Sequence, residues 1–285
     1  MELLLILAMN GLVFGLIVAL IALGLSIIFG LLDIINVAHG DFFMVGTVLA
    51  WVIVTVTGNY WAAFLIVPIL GLILGALIER GILRPIEDSP ALSIVAAFGL
   101  SLILQEGVRA TFGATPKRIL DPIGLTIPVL NLRYEVYRLF AAGIAVLAIA
   151  GFFLFLHHTK FGTWMRAVRQ DKEMATAMGV PANRVFVVTF ALGTAMAMLG
   201  GVVAAPITSV EFRLGLDVLP LCFIAVIIGG LGNLPGTAAA AVLLAVMEGV
   251  ITSFAAPTTA RIVSLLLMSI VLLLRPQGLF AKAAR

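Results

Sequence analysis

The sequence is short of charge: Asp, Glu, Lys and Arg make up 11% of its 285 residues, less than half of the roughly 25% found in an ordinary soluble domain. This shortage excludes a soluble globular protein. The stretches without a charged residue include residues 3–32, 42–78, 185–210 and 218–247. Because about 20 apolar residues span the hydrocarbon core of a bilayer, these runs predict an all-α, polytopic membrane protein.

Several catalytic motifs are also absent. The chain has no GxxxxGK[ST] phosphate loop, no HExxH helix, no GxSxG turn and no Cys or His cluster with metal-ligand spacing. His157 and His158 are adjacent and would point in different directions on a helix, so they make poor co-ligands for a metal. The sequence therefore gives no support for catalysis, for a metal or for a cofactor on this chain. The single cysteine, Cys222, permits no internal disulfide, and the net charge of +3 requires no nucleic-acid partner.

Hydropathy and turn residues predict nine crossings of the lipid bilayer within one transmembrane domain that covers residues 1–285. The seventh is short, and short apolar segments at membrane depth either span the bilayer or re-enter it, so eight or nine helices are expected. The first crossing follows an N-terminus that lacks a basic signal-peptide region, and we interpret it as retained. The predicted crossings lie near residues 8–31, 42–57, 61–79, 91–110, 136–156, 186–206, 217–231, 237–256 and 258–275.

Two long connections set the expected orientation. Residues 112–138 and 157–184 must lie on opposite sides of the membrane, because a single crossing separates them. Placing the second loop and the C-terminal tail inside puts ten of the seventeen Lys and Arg residues on the inner side of the membrane, eight of them in this loop and tail. This is a weak positive-inside bias. We therefore expect the N-terminus outside and the C-terminus in the cytoplasm. Turn residues in the outer loop favour a short extended hairpin. The basic residues of the inner loop and tail are Lys160, Arg166, Arg169, Lys172, Arg184, Arg275, Lys282 and Arg285.

Few charges fall within the predicted crossings. Glu106 and Arg109 have the i, i+3 spacing of a helical ion pair, and Arg261 lies close to a helix end. Glu248 is the most deeply placed acid. A charge at the bilayer centre costs at least about 3 kcal/mol, so Glu248 is either a proton-coupling group or a carboxyl that is neutral or hydrogen-bonded to a neighbouring helix.

The stretch DIINVAHGDFF, residues 33–43, interrupts two long apolar runs with polar residues and a glycine. One interpretation is a plain turn, in which Asp33 and Asn36 end a helix, Gly40 adopts an unusual dihedral angle and Asp41 caps the next helix. The other is a broken helix beside a translocation route, with Asn36 and His39 donating hydrogen bonds and Gly40 acting as a hinge or a point of close approach. Broken helices at membrane depth occur where the backbone lines a cavity or is buried in protein.

A second interruption, IIGGLGNLPGTAAAA, begins at residue 227. Paired interruptions in the two halves of a transporter point towards its substrate path, so we take this segment as the counterpart of residues 33–43. The pairing predicts two half-repeats, residues 8–110 and 136–256. The expected path residues in this segment are Gly229, Gly230, Gly232 and Asn233.

The inner loop contains EMATAMG, residues 173–179, followed by VPANR. The pattern predicts a short helix that ends at Gly179, with Pro181 preventing its continuation. Such a helix on a basic loop is either a contact for a soluble motor protein or a solvated loop helix.

Five motifs extend over nearly the whole chain: ALGLSIIFGLLDIINVAHGDFFMVG, TKFGTWMRAVRQDKEMATAMGV, TFALGTAMAMLGGVVAAP, GGLGNLPGT and LLRPQGLF. In these motifs the chain resembles the LivH-type permeases, membrane subunits of ABC importers for branched-chain amino acids. The resemblance implies import of branched-chain or other hydrophobic amino acids across a bacterial-type inner membrane. It also implies partners: a second, LivM-like permease subunit or a second copy, two cytoplasmic ATPase subunits that hold ATP and Mg, and an extracytoplasmic amino-acid binding protein.

The resemblance further implies that the inner loop is the coupling element. Glu173, Ala175 and Gly179 match an ExAxxxG core, with Arg166 and Arg169 expected to support ATPase docking. Met174 departs from the family pattern, and no Ile-x-Leu-Pro continuation follows. The alternative function is a secondary transporter or channel for a small urea-like or amide-like solute, with protons passing through His39, Asp41 and Glu248; in that case no ATPase is needed.

Overall fold

The computed structural model describes residues 2–86, 89–129 and 132–280. These residues form eleven α-helices and one two-stranded antiparallel sheet. In chain order they are α1 (Glu2–Leu32), α2 (His39–Thr57), α3 (Trp61–Ile78), α4 (Pro90–Phe112), β1 (Thr126–Val129), β2 (Leu132–Glu135), α5 (Val136–His158), α6 (Lys160–Gln170), α7 (Lys172–Ala177), α8 (Ala182–Ala204), α9 (Leu214–Gly229), α10 (Leu234–Ile251) and α11 (Pro257–Leu274).

Within the described residues, eight helices are long and apolar enough to cross a membrane: α1 to α5, α8, α10 and α11. α3 continues through a π-helical turn and a 3-10 turn to Ile86. α1 and α8 are the most deeply buried of these helices and form the centre of the bundle. The prediction of a polytopic helical membrane protein is therefore confirmed.

The bundle has two distinguishable ends. At the hairpin end, next to β1 and β2, the hydroxyl oxygens of Tyr60 and Tyr137 lie 2.7 Å apart. The Tyr60 hydroxyl lies 2.5 Å from the carbonyl oxygen of Val202, and the Tyr137 hydroxyl lies 2.8 Å from that of Val203, both near the end of α8. Burial raises the pKa of Tyr60, so this hydroxyl keeps its proton for hydrogen bonding. At the other end, called the basic-loop end, Arg169 of α6 donates to the carbonyl of Gly232, just before α10.

The short helix α9 completes a crossing. α8 ends at the hairpin end of the bundle, whereas α10 begins at the basic-loop end, so residues 205–233 pass from one end to the other. Only 16 of these residues form α9. The seventh predicted crossing therefore spans the bundle as a 16-residue helix preceded by an irregular segment, and it does not re-enter on one side.

α2 begins in the middle of the bundle. Nε2 of His39, its first residue, lies 3.0 Å from the carbonyl oxygen of Ile21. Ile21 precedes the end of α1 at Leu32 by eleven residues, or about 16 Å of helix. Residues 33–38 consequently run back along α1 before α2 starts. The predicted break in residues 33–43 is confirmed.

Glycine pairs mark the closest helix packing. Gly11 and Gly15 of α1 lie against α10, and Gly71 and Gly75 of α3 lie against α8. A Cβ added to Gly11 would lie 2.6 Å from a carbonyl oxygen of α10, and one added to Gly75 would lie 2.7 Å from an α carbon of α8. Small residues at this spacing allow helix backbones to approach closely.

The helix contacts are reciprocal. Several contacts have an equivalent when α1, α2, α3 and α4 are paired with α8, α9, α10 and α11. The contact of α1 with α10 corresponds to that of α8 with α3, and the contact of α2 with α8 corresponds to that of α9 with α1. The contact of α2 with α4 corresponds to that of α9 with α11. This pattern relates α1–α4 to α8–α11. Two half-repeats are present, but the second starts at α8, and α5 to α7 lie between the repeats. The predicted bounds of 136–256 for the second half are therefore wrong.

The outer loop contains the predicted hairpin. β1 pairs with β2 in an antiparallel register in which Ile127 lies opposite Tyr134. Earlier in the same loop, Lys117 forms a two-hydrogen-bond bridge with Val210, in the segment between α8 and α9. The connector thus contacts the irregular segment that leads into α9.

Candidate functional site

Buried polar groups cluster where α2 begins. α1 ends with Asp33 in a left-handed conformation (φ 52°), and Asn36 and His39 are then almost fully buried. Within the described part of the chain, Nδ2 of Asn36 and Nδ1 of His39 have no hydrogen-bond partner. Unsatisfied polar groups in a protein interior are costly and therefore rare. This cluster is a candidate site for a polar ligand or water.

The starts of α2 and α9 cross beside this cluster, at Gly40 and Gly215. A Cβ on Gly40 would lie 2.8 Å from Cβ of Leu219 and closer still to the Gly215 carbonyl oxygen. A Cβ on Gly215 would lie 2.6 Å from Oδ1 of Asp41. Gly40 is within α2 and has no positive φ, so an unusual dihedral angle is not its role. Close approach of two backbones is what requires glycine here.

α2 and α9 each have an acidic residue in the first turn, and a side chain from the last helix of the same repeat binds it. In the first repeat, Nε2 of Gln105 in α4 donates to Oδ1 of Asp41 at 3.0 Å. In the second, the Arg261 guanidinium of α11 donates to Oδ1 of Asp217 at 3.1 Å. Asp41 makes no capping bond at the start of α2, so the predicted cap is wrong. The reciprocity of the repeats extends to these polar pairs.

The counterpart of residues 33–38 is the segment 205–213, not the glycine-rich segment after residue 227. Both true breaks are followed by a helix that starts at the Gly40–Gly215 crossing. Gly215 and Asp217 are not among the site residues predicted from the sequence. The signal was present, since SVEFRLGLDVLP from residue 209 also places charged residues and a glycine between two apolar runs.

The predicted path residues of the second interruption lie at the basic-loop end. Gly230 and Gly232 have φ of 94° and 76°, which favour glycine, and Gly229 packs on the backbone at Thr237. Asn233 caps α10 by accepting from the backbone of Gly236 at 3.2 Å, and its Nδ2 donates to Phe280 at 2.7 Å. The structure therefore does not bring these four residues together with Asn36, His39, Gly40 and Asp41.

The two expected docking arginines of α6 retain exposed surface, but their guanidinium groups also contact their own chain. Arg166 donates to the carbonyl of Leu156 at the end of α5. Arg169 donates to the Gly232 carbonyl at 2.7 Å, and Gly30 near the end of α1 lies beside the same loop. Arg169 thus joins the basic loop to the connection between α9 and α10. The predicted tail residues Lys282 and Arg285 lie outside the described residues.

α7 confirms the predicted helix of the inner loop. Its N-cap, Asp171, accepts from the backbone of Met174 at 2.8 Å, and Gly179 follows the helix with φ of 86°. Ala175 is buried against the rest of the chain, while Glu173 is exposed. Met174 and Met178 have 61% and 80% of their surfaces exposed. The apolar surface that α7 presents therefore comes from two methionines that the motif match did not select.

Glu248 lies in the last turn of α10, nearer the hairpin end than its apolar surroundings in the sequence predict. Its carboxylate accepts from the Ser264 hydroxyl at 2.7 Å, which confirms the interpretation that it bonds to a neighbouring helix. Asp41 bonds to Gln105 and His39 to the backbone of Ile21. No hydrogen bond recorded among the described residues connects these three groups into a proton path.

The chain matches the family model described as "Branched-chain amino acid transport system / permease component" over residues 7–272. It is 28% identical over 301 residues to the high-affinity branched-chain amino acid transport system permease protein LivH of Salmonella typhimurium. It is also 28% identical over 303 residues to LivH of Escherichia coli K12 and 28% identical over 293 residues to BraD of Pseudomonas aeruginosa. Each match covers 96% of this chain and 94% of the relative.

No solved structure matches the chain significantly. The family match extends across both half-repeats, from α1 to α11, and so includes the two broken segments and the Gly40–Gly215 crossing. The relatives match over nearly their full length. The chain therefore belongs to the family of permease components of branched-chain amino acid transport systems.

Proposed function

We propose that this multi-pass membrane protein is the permease subunit of an ATP-driven importer that moves branched-chain amino acids into the cytoplasm. The observation that carries the proposal is the meeting of α2 and α9, two helices that begin inside the bundle, at Gly40 and Gly215. Helices that begin at mid-depth leave backbone and polar groups available to a substrate path, and small rotations of either half change which side is open.

The proposed assembly contains four kinds of component. This chain supplies one transmembrane domain over residues 1–285, paired with a LivM-like permease subunit or a second copy of itself. Two cytoplasmic ATPase subunits bind ATP and Mg, and an extracytoplasmic amino-acid binding protein delivers the substrate. The family membership supports a system of several components. In this proposal the chain itself needs no cofactor and no nucleic acid.

The proposed orientation places the basic-loop end in the cytoplasm of a bacterial-type cell and the hairpin end outside. Five of the seventeen Lys and Arg residues belong to the loop of α6 and α7, which supports this choice. The N-terminus of α1 then lies outside and the C-terminal end of α11 in the cytoplasm, in line with nine passages through the bundle.

The proposed gate is the crossing of α2 and α9. Asn36 and His39 supply the unsatisfied buried nitrogens, Gly40 and Gly215 allow the close approach, and Asp41 fixes α2 to α4. At the cytoplasmic end, Gly229, Gly230, Gly232 and Asn233 form the connection that moves with α9 and α10.

The proposed coupling element is the pair α6 and α7. Met174 and Met178 contact the ATPase through their exposed side chains, while Glu173 lies beside them and Ala175 and Gly179 fix the helix to its loop. Arg166 and Arg169 make α6 a rigid continuation of α5 and of the α9–α10 connection. A displacement of α7 is thereby transmitted to the end of α9 without a flexible step.

Reconstitution tests the function. We expect labelled leucine to enter proteoliposomes that contain the whole assembly, only when the ATPase subunits have ATP and the binding protein is present. The matched control replaces the ATPase subunits with hydrolysis-deficient forms. Uptake by this chain alone, driven by a proton gradient without ATP, would show a secondary transporter and contradict the proposal.

A further inference from the structure

A cavity of about 480 Å³ lies beside the Gly40–Gly215 crossing. Its walls come from α1, α2, the segment before α9, and α9 to α11. None of the eight residues predicted to line the substrate path lines it, whereas Glu248, which was predicted only for the alternative proton path, does. It is therefore separate from the cluster around Asn36 and His39, and its chemistry needs its own explanation.

The polar side of the cavity carries three carboxylates and one guanidinium. Glu211, Asp217 and Glu248 supply the acids and Arg261 the cation. Three acids facing one base leave an excess of negative charge, which favours a ligand with an ammonium group. No metal-holding group of three or more His, Cys, Asp or Glu occurs among the described residues, so the acids are not arranged as a cation cage.

The donors and acceptors of this cavity are only partly used. Glu248 receives one hydrogen bond, from the Ser264 hydroxyl to Oε1 at 2.7 Å, which orients the carboxylate and leaves Oε2 available. Arg261 makes a single contact with Asp217, through one nitrogen, although a guanidinium has five N–H donors. Both groups can therefore bind a ligand without breaking the bonds that position them.

The remaining wall is apolar. Phe14 and Phe43 line it from α1 and α2, and Leu221 and Ile224 line it from α9. An apolar wall opposite a carboxylate and a guanidinium is complementary to a zwitterion with an aliphatic side chain. The apolar wall removes that side chain from water, while the carboxylate binds its ammonium group and the guanidinium binds its carboxylate.

We propose that this cavity binds the amino-acid substrate as a zwitterion before it reaches the gate. The ammonium group binds Glu248, with Glu211 close by, the α-carboxylate binds Arg261, and the aliphatic side chain contacts Leu221 and Ile224. The inference rests on the proposed function for the identity of the substrate. It adds a site on this chain, beside the crossing, that binds both charged ends of the ligand.

The experiment measures equilibrium binding to the assembled transporter in lipid nanodiscs, without ATP and without the binding protein. The probes are labelled leucine, with leucinamide and 4-methylpentanoate as competitors that lack the carboxylate and the ammonium group, respectively. We expect Arg261→Gln to weaken leucine binding about tenfold or more while leucinamide is unaffected. Glu248→Gln should weaken leucine similarly and leave 4-methylpentanoate unaffected. Glu106→Gln on α4 is the matched control.

A labelling measurement covers variants that fail to assemble. Ser209, which accompanies the four charged groups in the cavity lining, is replaced by cysteine in a chain whose natural cysteine is fully buried. Leucine should slow its reaction with a methanethiosulfonate at least severalfold. Unchanged labelling, or equal losses for leucine and both competitors in each variant, overturns the inference. ATP-driven leucine uptake by the wild-type assembly in the same preparation decides the proposed function separately.

Discussion

Single residues determine how closely the two broken helices meet. Gly40 and Gly215 bring backbone against backbone, and the neighbouring Asp41 and Asp217 are each held by a side chain from another helix. At such a site the absence of a side chain is a packing requirement, because protein interiors are close-packed and an added methyl group has no space to occupy.

We predict that Gly40→Val destabilises the protein. Its Cβ would overlap the Gly215 carbonyl, and overpacking of this kind costs about 1–3 kcal/mol. Thermal unfolding of the purified protein in detergent should show a lower midpoint. Gly107→Val is the control, because an added Cβ on that residue of α4 meets nothing within 4 Å. Equal midpoints for the two variants would contradict the close approach.

A second prediction concerns Arg169. Arg169→Ala removes the hydrogen bond that joins α6 to the Gly232 carbonyl, so movement of the basic loop should no longer reach α9 efficiently. In the reconstituted assembly we expect substrate moved per ATP hydrolysed to fall severalfold, while the ATPase subunits still co-purify. Lys160→Ala, at an exposed position of the same helix, is the control. Unaltered stoichiometry in Arg169→Ala would refute the connection.

At the scale of elements, α7 is a short helix whose ends are both fixed by its sequence. Asp171 satisfies a backbone N–H at the start, and Gly179 provides the left-handed residue after the end. The helix buries Ala175 and exposes two methionines. Since methionine is flexible and polarisable, it suits a contact surface whose partner changes shape.

We predict that Gly179→Val impairs this element. A β-branched residue at φ of 86° is strained by roughly 1–2 kcal/mol or more, so the turn after α7 should open and tilt the methionines. Substrate-stimulated ATPase activity of the assembly should fall. Gly143→Val in α5, where an added Cβ has open space, provides the comparison. Full stimulation in Gly179→Val would show that the turn is dispensable.

The sequence predicted the elements that long patterns encode. Uncharged runs located the long helices, the break before α2 and the outer hairpin followed from turn residues, and Gly179 marked the end of α7. The hydrogen bond from Arg169 to the Gly232 carbonyl was not predictable, because the two residues are 63 positions apart and no local pattern relates them. The break before α9 was missed because the more conspicuous glycines after residue 227 belong to an ordinary helix connection.

The site was predicted less well than the fold for a physical reason. Asn36, His39 and Gly40 can be recognised in the sequence because they are polar or small residues within an apolar run. Glu211, Asp217, Glu248 and Arg261 are separated by up to 50 residues and meet only when the second repeat folds. Residue spacing carries no information about charged groups that four different elements bring together in one cavity.

At the scale of the whole molecule, two similar four-helix units pack through their first helices, with α5 to α7 inserted between them. α5 passes once from the hairpin end to the basic-loop end. The exposed side chain of Leu120 belongs to the outer loop and that of Met178 to the inner loop, so these two positions must lie on opposite sides of a membrane.

This arrangement predicts the labelling of single cysteines. Leu120→Cys should react with a membrane-impermeant maleimide in intact cells, and Met178→Cys should react only in inverted vesicles. The natural Cys222 is buried and supplies the unlabelled background. The reverse pattern would invert the proposed orientation, and labelling of both positions from one side would disprove the single passage of α5.

The backbone bridge between Lys117 and Val210 has a consequence for motion. Its two hydrogen bonds, of 2.8 and 2.9 Å, attach the outer connector to the irregular segment four residues before α9. Because Leu214 begins α9, the connector cannot be displaced by more than a few ångströms without either rupturing these bonds or pulling on the first turn of that helix. The amide protons of Lys117 and Val210 should therefore exchange with solvent at a common rate, as a single opening unit.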